Sequence, residues 1–176
     1  LVKKYLSKDV PYVVDPVMVA TSGDKLIDDV ARKHLKEEIL PLATIITPNV
    51  PEAEEIVNFK ILTEDDVNRA GKFIIDEVGC KSVVIKGGHL TGEAKDYLFL
   101  NDGTKKVWTS ERFKTNHTHG TGCTFSAVIT AELAKGKSII EAVDIGKKFI
   151  TAAIKYTPEL GHGNGPVNHI AFKGDL

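Results

Sequence analysis

"ATIITPNVPEAEEIV", residues 43–57, changes its period halfway. The first six residues are an apolar, β-branched run closed by Pro48, the pattern of a strand buried on both faces. Asn49, Pro51 and Glu52 then supply an N-cap, a first-turn proline and a carboxylate at the third helical position, so a helix is expected from about Pro51 to Val57. A strand running directly into a helix is a βα unit, and the pattern recurs. "PYVVDPVM" (11–18) reads as a buried strand ended by Asp15 and Pro16, and "SVVIKGG" (82–88) as a third. "KLIDDVARKHLKEEIL" (25–40) places Leu26, Ile27, Val30, Leu35 and Ile39 roughly on one helical face, with Pro41 as its stop. Another helix is expected from Thr63, an N-cap, to Val78, with Gly79 ending it. Continuous apolar strands alternating with helices predict an α/β fold whose parallel sheet is covered on both faces.

Beyond residue 93 the pattern changes. "KDYLFL" and "KKVWTS" flank Asn101-Asp102-Gly103, a hairpin signal. "TFSAVITAELAK" reads as a helix ended by Gly136. Ser138 and Glu141 form a capping box for a last helix, 139–156, which stops before Pro158. Ile145, Phe149, Ala152, Ala153 and Tyr156 make its expected packing stripe. No repeat, low-complexity segment or linker interrupts the chain, so residues 1–176 read as one domain. The opening "LVKKYLSKDV" lacks an initiator Met and reads as the end of a helix entering a strand, as in a fragment whose beginning is missing.

Composition narrows the function classes. With 42% hydrophobic and 27% charged residues the chain has an ordinary globular make-up. A net charge of −1, from 23 basic and 24 acidic residues, gives no bulk field to recruit nucleic acid or an anionic membrane. No apolar run approaches the ~20 residues of a membrane span. Two cysteines, Cys80 and Cys123, are too few for a disulfide scaffold and suit a reducing cytosol.

In open parallel sheets ligands bind beyond the carboxyl ends of the strands. The residues leaving the three strands are Asp15, then Thr47 to Glu52, then Lys86, Gly87 and Gly88. The "HGTGC" loop (119–123) is a candidate to join them there. A helix start leaves unsatisfied N–H groups and a partial positive charge, and glycines let those amides close around an anion. Gly120, Thr121 and Gly122 are therefore a candidate phosphate cradle. Cys123 in that field is a candidate base with a stabilised thiolate. Taken alone, the tetrapeptide fits a turn and a small buried hydrophobe better. Asn49 and Glu52 taken alone are better read as a capping box than as holders of hydrated Mg²⁺. Lys86 divides evenly between a phosphate partner and an ordinary strand-end lysine. Asp15 serves either a metal-phosphate site or a turn before Pro16. His117 and His119 lack further ligands nearby and read as loop histidines. "GHGNGP" (161–166) follows a helix and so fails the context of a nucleotide loop. Cys80 reads as core.

The ordered set "VVDPVM", "ITPNVPEAEE", "VVIKGGH", "KDYLF", "HTHGTGCTFSAVITAELAKG" and "GPVNH" closely resembles the hydroxymethylpyrimidine/phosphomethylpyrimidine kinases of thiamine biosynthesis, in the ribokinase-like superfamily. That resemblance implies a three-layer αβα sandwich with a mostly parallel sheet. It implies use of ATP and Mg²⁺ to phosphorylate 4-amino-5-hydroxymethyl-2-methylpyrimidine and then its monophosphate. By the same resemblance Cys123 is the catalytic base and Gly120, Thr121 and Gly122 the anion hole. Asn49 and Glu52 serve Mg²⁺ and phosphate, and Lys86 and Asp15 lie on the phosphate side. Lys147 lies near the nucleotide, and Val17 in the substrate wall. Most sugar and pyridoxal kinases of the superfamily carry Asp where this chain has Cys123. The family's opening strand and glycine-rich turn, with the glutamine that reads the pyrimidine, have no counterpart here, and an open sheet edge beside "VVDPVM" is expected. A homodimer in the cytoplasm, with no nucleic-acid or membrane partner, is implied. Alternatives are a pyridoxal or dual-specificity kinase, and a non-catalytic nucleotide-binding remnant.

Overall fold

The computed structural model describes residues 2–7, 9–18, 26–87 and 93–172. The chain divides into two compact units, Leu1–Thr109 and Ser110–Leu176.

The first unit holds a sheet in the order β1-β2-β3-β4-β5. Its strands are β1 (Val13–Val14), β2 (Ile45–Ile46), β3 (Ser82–Lys86), β4 (Ala94–Leu100) and β5 (Lys105–Ser110). β1, β2 and β3 run parallel, and β4 is antiparallel to β3. β5 follows β4 through Asn101–Thr104, a connection short enough only for an antiparallel hairpin. β1 forms the edge expected beside "VVDPVM", and among the described residues it pairs with β2 alone. The first two strands are shorter than the apolar runs predicted. Only their central residues keep parallel pairing, Val13 with Ile45 and Val14 with Ile46.

The helices begin where the caps placed them. α3 (Val50–Val57) starts with Asn49 and Glu52 in a reciprocal capping box. α4 (Glu64–Phe73) starts with Thr63 and Asp66 in another, continues as a π-helical turn to Val78, and ends at Gly79 with φ 85°. α1 is the short helix Val2–Tyr5. The segment 25–40 corrects the prediction. α2 is only Asp29–His34, capped by Asp28, and a π-helical turn (Leu35–Ile39) and a 3₁₀ turn (Leu40–Leu42) follow. Leu26 lies outside the helix, and Leu26 and Val30 are exposed. The π turn rotates the later residues relative to the earlier ones, so one 3.6-residue face cannot run through all five apolar positions. Pro41 sits inside the 3₁₀ turn rather than after the last turn.

The core of this unit gathers Val14, Met18, Leu40, Ile46, Ile56 and Ile85 with Val67 and Ile74 of the α4 segment. Cys80 is in it, as expected, and burial pushes its thiol up to about 12.

The second unit is a helical pair, α5 (Thr121–Ala134) and α6 (Ile139–Lys155), the latter capped by the Ser138–Glu141 box. Phe125, Ile129 and Leu133 are the buried side of α5, and Ala142, Val143, Gly146, Ile150 and Ala153 that of α6. Gly146 takes the ring of Phe125 at its Cα. The expected stripe on α6 is thus displaced: Ile145, Phe149 and Ala152 are only partly buried, and Tyr156 is 57% exposed. A helix apolar around most of its girth lets small residues choose the contact face, and periodicity does not see that choice.

Candidate functional site

The parallel strands of the first unit end together, and their last residues are tied to one another. Thr47 N–H donates to the Val14 carbonyl at 3.1 Å, and Lys86 N–H to the Pro48 carbonyl at 2.8 Å. Asn49 and Lys86 form an isolated parallel bridge. Side chains reinforce this frame. The Thr47 hydroxyl donates to Asp15 Oδ1 at 3.0 Å, and Lys86 Nζ donates to the same oxygen at 3.2 Å. Both partners of the ion pair are largely buried, with side-chain exposures of 18% for Lys86 and 14% for Asp15.

Glu52 completes the group. Its carboxylate accepts from Asn49 N–H at 2.8 Å, and Glu52 N–H donates to Asn49 Oδ1 at 2.8 Å. The residue is 4% exposed. Burial pushes its carboxyl above the usual range; the Asn49 amide and Lys86 pull it back, and Asp15 adds to the rise. Capping accounts for the helix start but not for a buried carboxylate beside an aspartate, where a glutamine would cap as well.

This donor set fits a hard divalent cation held in company with a phosphorylated ligand. Mg²⁺ is usually bound through one or two carboxylates and substrate phosphates, keeping several waters. Asp15 and Glu52 supply two carboxylates, and Asn49 an amide oxygen that α3 already uses. Among the described residues no group of three or more His, Cys, Asp or Glu forms a self-sufficient metal cage. His117 and His119 lie in the loop before α5. The His119 backbone pairs with Gly165 and Val167, which brings the "GHGNGP" segment onto the loop before α5.

In the second unit Gly120 opens α5 with φ 84°, and no side chain caps the helix. Thr121 turns its hydroxyl back to the Thr118 carbonyl at 2.7 Å, and Thr124 N–H donates to Gly120 O at 2.9 Å. Cys123 is exposed on the first turn. It borders an open, mostly apolar depression with Ala127, Val128, Ala131, Phe149 and His169. His169 Nε2 lies 3.0 Å from the Thr124 hydroxyl. Lys147, on α6, is 9% exposed. Val17 is 40% exposed, and its N–H donates to the Asp15 carbonyl at 2.9 Å. Gly88, grouped with Lys86 from the sequence, lies outside the described residues.

The sequence reading brought Asp15, Asn49, Glu52 and Lys86 to one edge, and the structure brings them together. It placed Thr47 at that edge without giving it a role, and it did not single out Asp96. Asp96 was signalled only by being a carboxylate inside the apolar strand "KDYLF"; it is 8% exposed and accepts from Gly87 N–H at 3.1 Å.

Comparison with known proteins gives this arrangement a family context. The family model described as phosphomethylpyrimidine kinase matches residues 1–168. A hydroxymethylpyrimidine/phosphomethylpyrimidine kinase of Staphylococcus aureus is 55% identical over 175 residues, 97% of this chain and 63% of the relative. The chain therefore spans somewhat less than two thirds of that curated relative's length. Among solved structures, the phosphomethylpyrimidine kinase of Clostridium difficile is 46% identical, covering 87% of this chain and 60% of that one, with TM-score 0.74. The pyridoxal kinase of Bacillus subtilis, solved as an ADP complex, is 40% identical, covering 97% and 62%, with TM-score 0.83.

Proposed function

Because this chain belongs to the phosphomethylpyrimidine kinase family, we propose that it carries the phosphate side and the base of an ATP-dependent kinase acting on hydroxymethylpyrimidine and its monophosphate, in thiamine biosynthesis. The observation that carries this reading is the buried Asp15–Thr47–Lys86 cluster beside Glu52 at the strand ends. A lysine and two carboxylates held there are what a nucleotide phosphate chain and its cation require. The family match runs across both compact units, which supports reading residues 1–168 as parts of one kinase domain.

Each residue then has a task. Lys86 offsets phosphate charge and exchanges part of its pairing with Asp15 for a phosphate oxygen. Asp15, Asn49 and Glu52 would hold Mg²⁺, which supplies charge neutralisation on the phosphates when bound. The Gly120–Thr121–Gly122 turn opens a helix that no side chain caps; in this reading its glycine amides serve the transferring phosphoryl group, while Thr121 N–H donates to the Thr118 carbonyl at 3.2 Å. Cys123 Sγ accepts the proton of the pyrimidine's hydroxymethyl group as that oxygen bonds to the γ-phosphorus. The bond from phosphorus to the bridging oxygen breaks in the same transfer, and ADP leaves. Lys147 contributes to the nucleotide site and Val17 to the substrate wall. A cytoplasmic homodimer acting on small molecules alone belongs to the same reading. Among the described residues no helix is long and apolar enough to cross a membrane.

Pyridoxal is the competing substrate, favoured by the structural likeness to pyridoxal kinases at 36–40% identity. The higher identity to the pyrimidine kinases outweighs it. A coupled assay of ADP release by the intact protein, run separately with hydroxymethylpyrimidine, its monophosphate and pyridoxal, decides. Turnover of both pyrimidines is expected. Turnover of pyridoxal alone would transfer the chain to the vitamin B6 reaction, and ADP binding without turnover would leave a nucleotide-binding protein.

A further inference from the structure

A third carboxylate, besides Asp15 and Glu52, is buried next to the strand-end cluster without a part in the chemistry just described. Asp96 lies near the start of β4, directly opposite Lys86 in the antiparallel register. The next pair along, Gly87 and Lys95, is joined by a bond from Gly87 N–H to Lys95 O at 2.8 Å. Pairs alternate along such a ladder, so Lys86 and Asp96 form the closer, non-hydrogen-bonded kind, with side chains on the same face. Asp96 Oδ1 adds a second acceptor to the same Gly87 N–H, at 3.1 Å. A buried carboxylate is costly unless matched by donors or opposite charge. A residue chosen only to fill an interior strand would be apolar.

Position 87 shows why the tie is tight. A Cβ there would stand 2.1 Å from the Lys95 carbonyl oxygen, so the two backbones meet at a distance that only glycine permits. Lys86 is thus held on one side by Pro48 and on the other through Gly87, and its ammonium reaches Asp15 from that fixed point.

We infer that Asp96 is a positioning residue: its carboxylate locks the Gly87 amide at the end of β3 and so sets where Lys86 presents its ammonium. It touches neither nucleotide nor acceptor and acts through Lys86. The inference rests on reading Lys86 as the phosphate-side cation.

The test uses the intact protein with Asp96→Ala and Asp96→Asn. Asparagine keeps an acceptor oxygen of the same reach; alanine keeps none. Amide exchange by NMR reads the tie directly. In Asp96→Ala the Gly87 amide should exchange about 10-fold faster relative to that of Val84, and in Asp96→Asn it should stay near wild type. Steady-state kinetics reads the consequence. Asp96→Ala should raise the KM for ATP by about 10-fold, the loss of one hydrogen bond to a charged group, with a much smaller change in kcat. Asp96→Asn should restore most of it. A general loss of stability would speed Val84 and Gly87 exchange together and leave the KM of the folded fraction alone. Unchanged Gly87 exchange in Asp96→Ala, or an unchanged KM for ATP, overturns the inference. If wild-type protein neither turns over nor binds ADP, the kinase reading fails, and the Gly87 exchange rates still decide whether Asp96 holds this strand end.

Discussion

The strand ends of the first unit and the helix start of the second are built by opposite means. At the strand ends the candidate side chains are tied to one another or to neighbouring backbone. Thr47 and Lys86 share one oxygen of Asp15, and Asn49 and Glu52 exchange bonds. The Gly120 turn has no side-chain cap, and its cysteine is exposed. The first is a preorganised network of charges whose geometry is fixed before any ligand arrives. The second is bare backbone shaped by a glycine. Groups that must hold a constant charge constellation gain from mutual fixing. A base that must meet an incoming hydroxyl gains from being accessible.

Substitutions can break that contrast. The largest effect belongs to Cys123. Cys123→Ala should lower turnover of hydroxymethylpyrimidine by ~10²–10⁴-fold, the usual contribution of a general base, while ATP affinity stays near wild type. The second transfer sharpens the test. Its nucleophile is a phosphate oxygen, largely ionised at neutral pH since the second phosphate pKa is about 6. Cys123→Ala should therefore slow phosphorylation of the monophosphate much less. Equal losses with both acceptors would assign Cys123 to packing or binding instead.

Lys86→Met comes next and should act on both stability and ATP. It removes the cationic partner of a largely buried carboxylate, so a loss of about 1–3 kcal/mol is expected in denaturant titration. The KM for ATP should rise in parallel. A variant with normal stability and normal KM would mean that the ion pair is ornamental.

The two glycines make the contrast steric. Gly87→Ala drives a Cβ to 2.1 Å from a backbone oxygen and should cost about 3 kcal/mol or more, because strand backbones must part. Gly120→Ala meets nothing closer than the Thr124 hydroxyl at 3.9 Å, and only its φ of 84° opposes it. That cost is about 1–2 kcal/mol for a left-handed non-glycine residue. Thermal melts of the two variants should rank in that order; the reverse would show that the helix start is the more tightly packed region.

The smallest effect is at Glu52 and concerns pH. Burial raises its carboxyl, so folding favours the neutral form. The stability gained from that preference is fully present below the unfolded carboxyl pKa of about 4.3 and is lost as pH rises through the higher folded value. Where it ionises, Glu52 is then a cost in the ligand-free protein. Glu52→Gln keeps an oxygen for the Asn49 amide and removes that cost. Its melting temperature relative to wild type should rise from pH 4 to pH 8, while its Mg²⁺ requirement in turnover increases. A relative melting temperature that falls over this range, with an unchanged Mg²⁺ titration, would return Glu52 to capping alone.

Much of this protein was legible as local chemistry. The caps at Asn49, Thr63 and Ser138, the stop at Gly79 and the turn at Asn101–Gly103 depend on residues within a few positions of each other, and all stand where the sequence put them. Apolar runs named the buried strands, and the rule that ligands gather at strand ends put Asp15, Asn49, Glu52 and Lys86 at one edge. What the sequence could not carry was any choice made between distant segments. Periodicity ran a single face through residues 25–40, where a π turn divides it, and chose a stripe on α6 beside the one that packs on Phe125. The role of Thr47, and Asp96 altogether, escaped it for the same reason. Thr47 matters because Asp15, 32 positions earlier, lies within 3.0 Å of its hydroxyl. Asp96 matters because the β3–β4 register sets it opposite Lys86. Local rules act through bonds within one turn, whereas register and packing are fixed by the mutual fit of whole elements, and only the tertiary structure decides that.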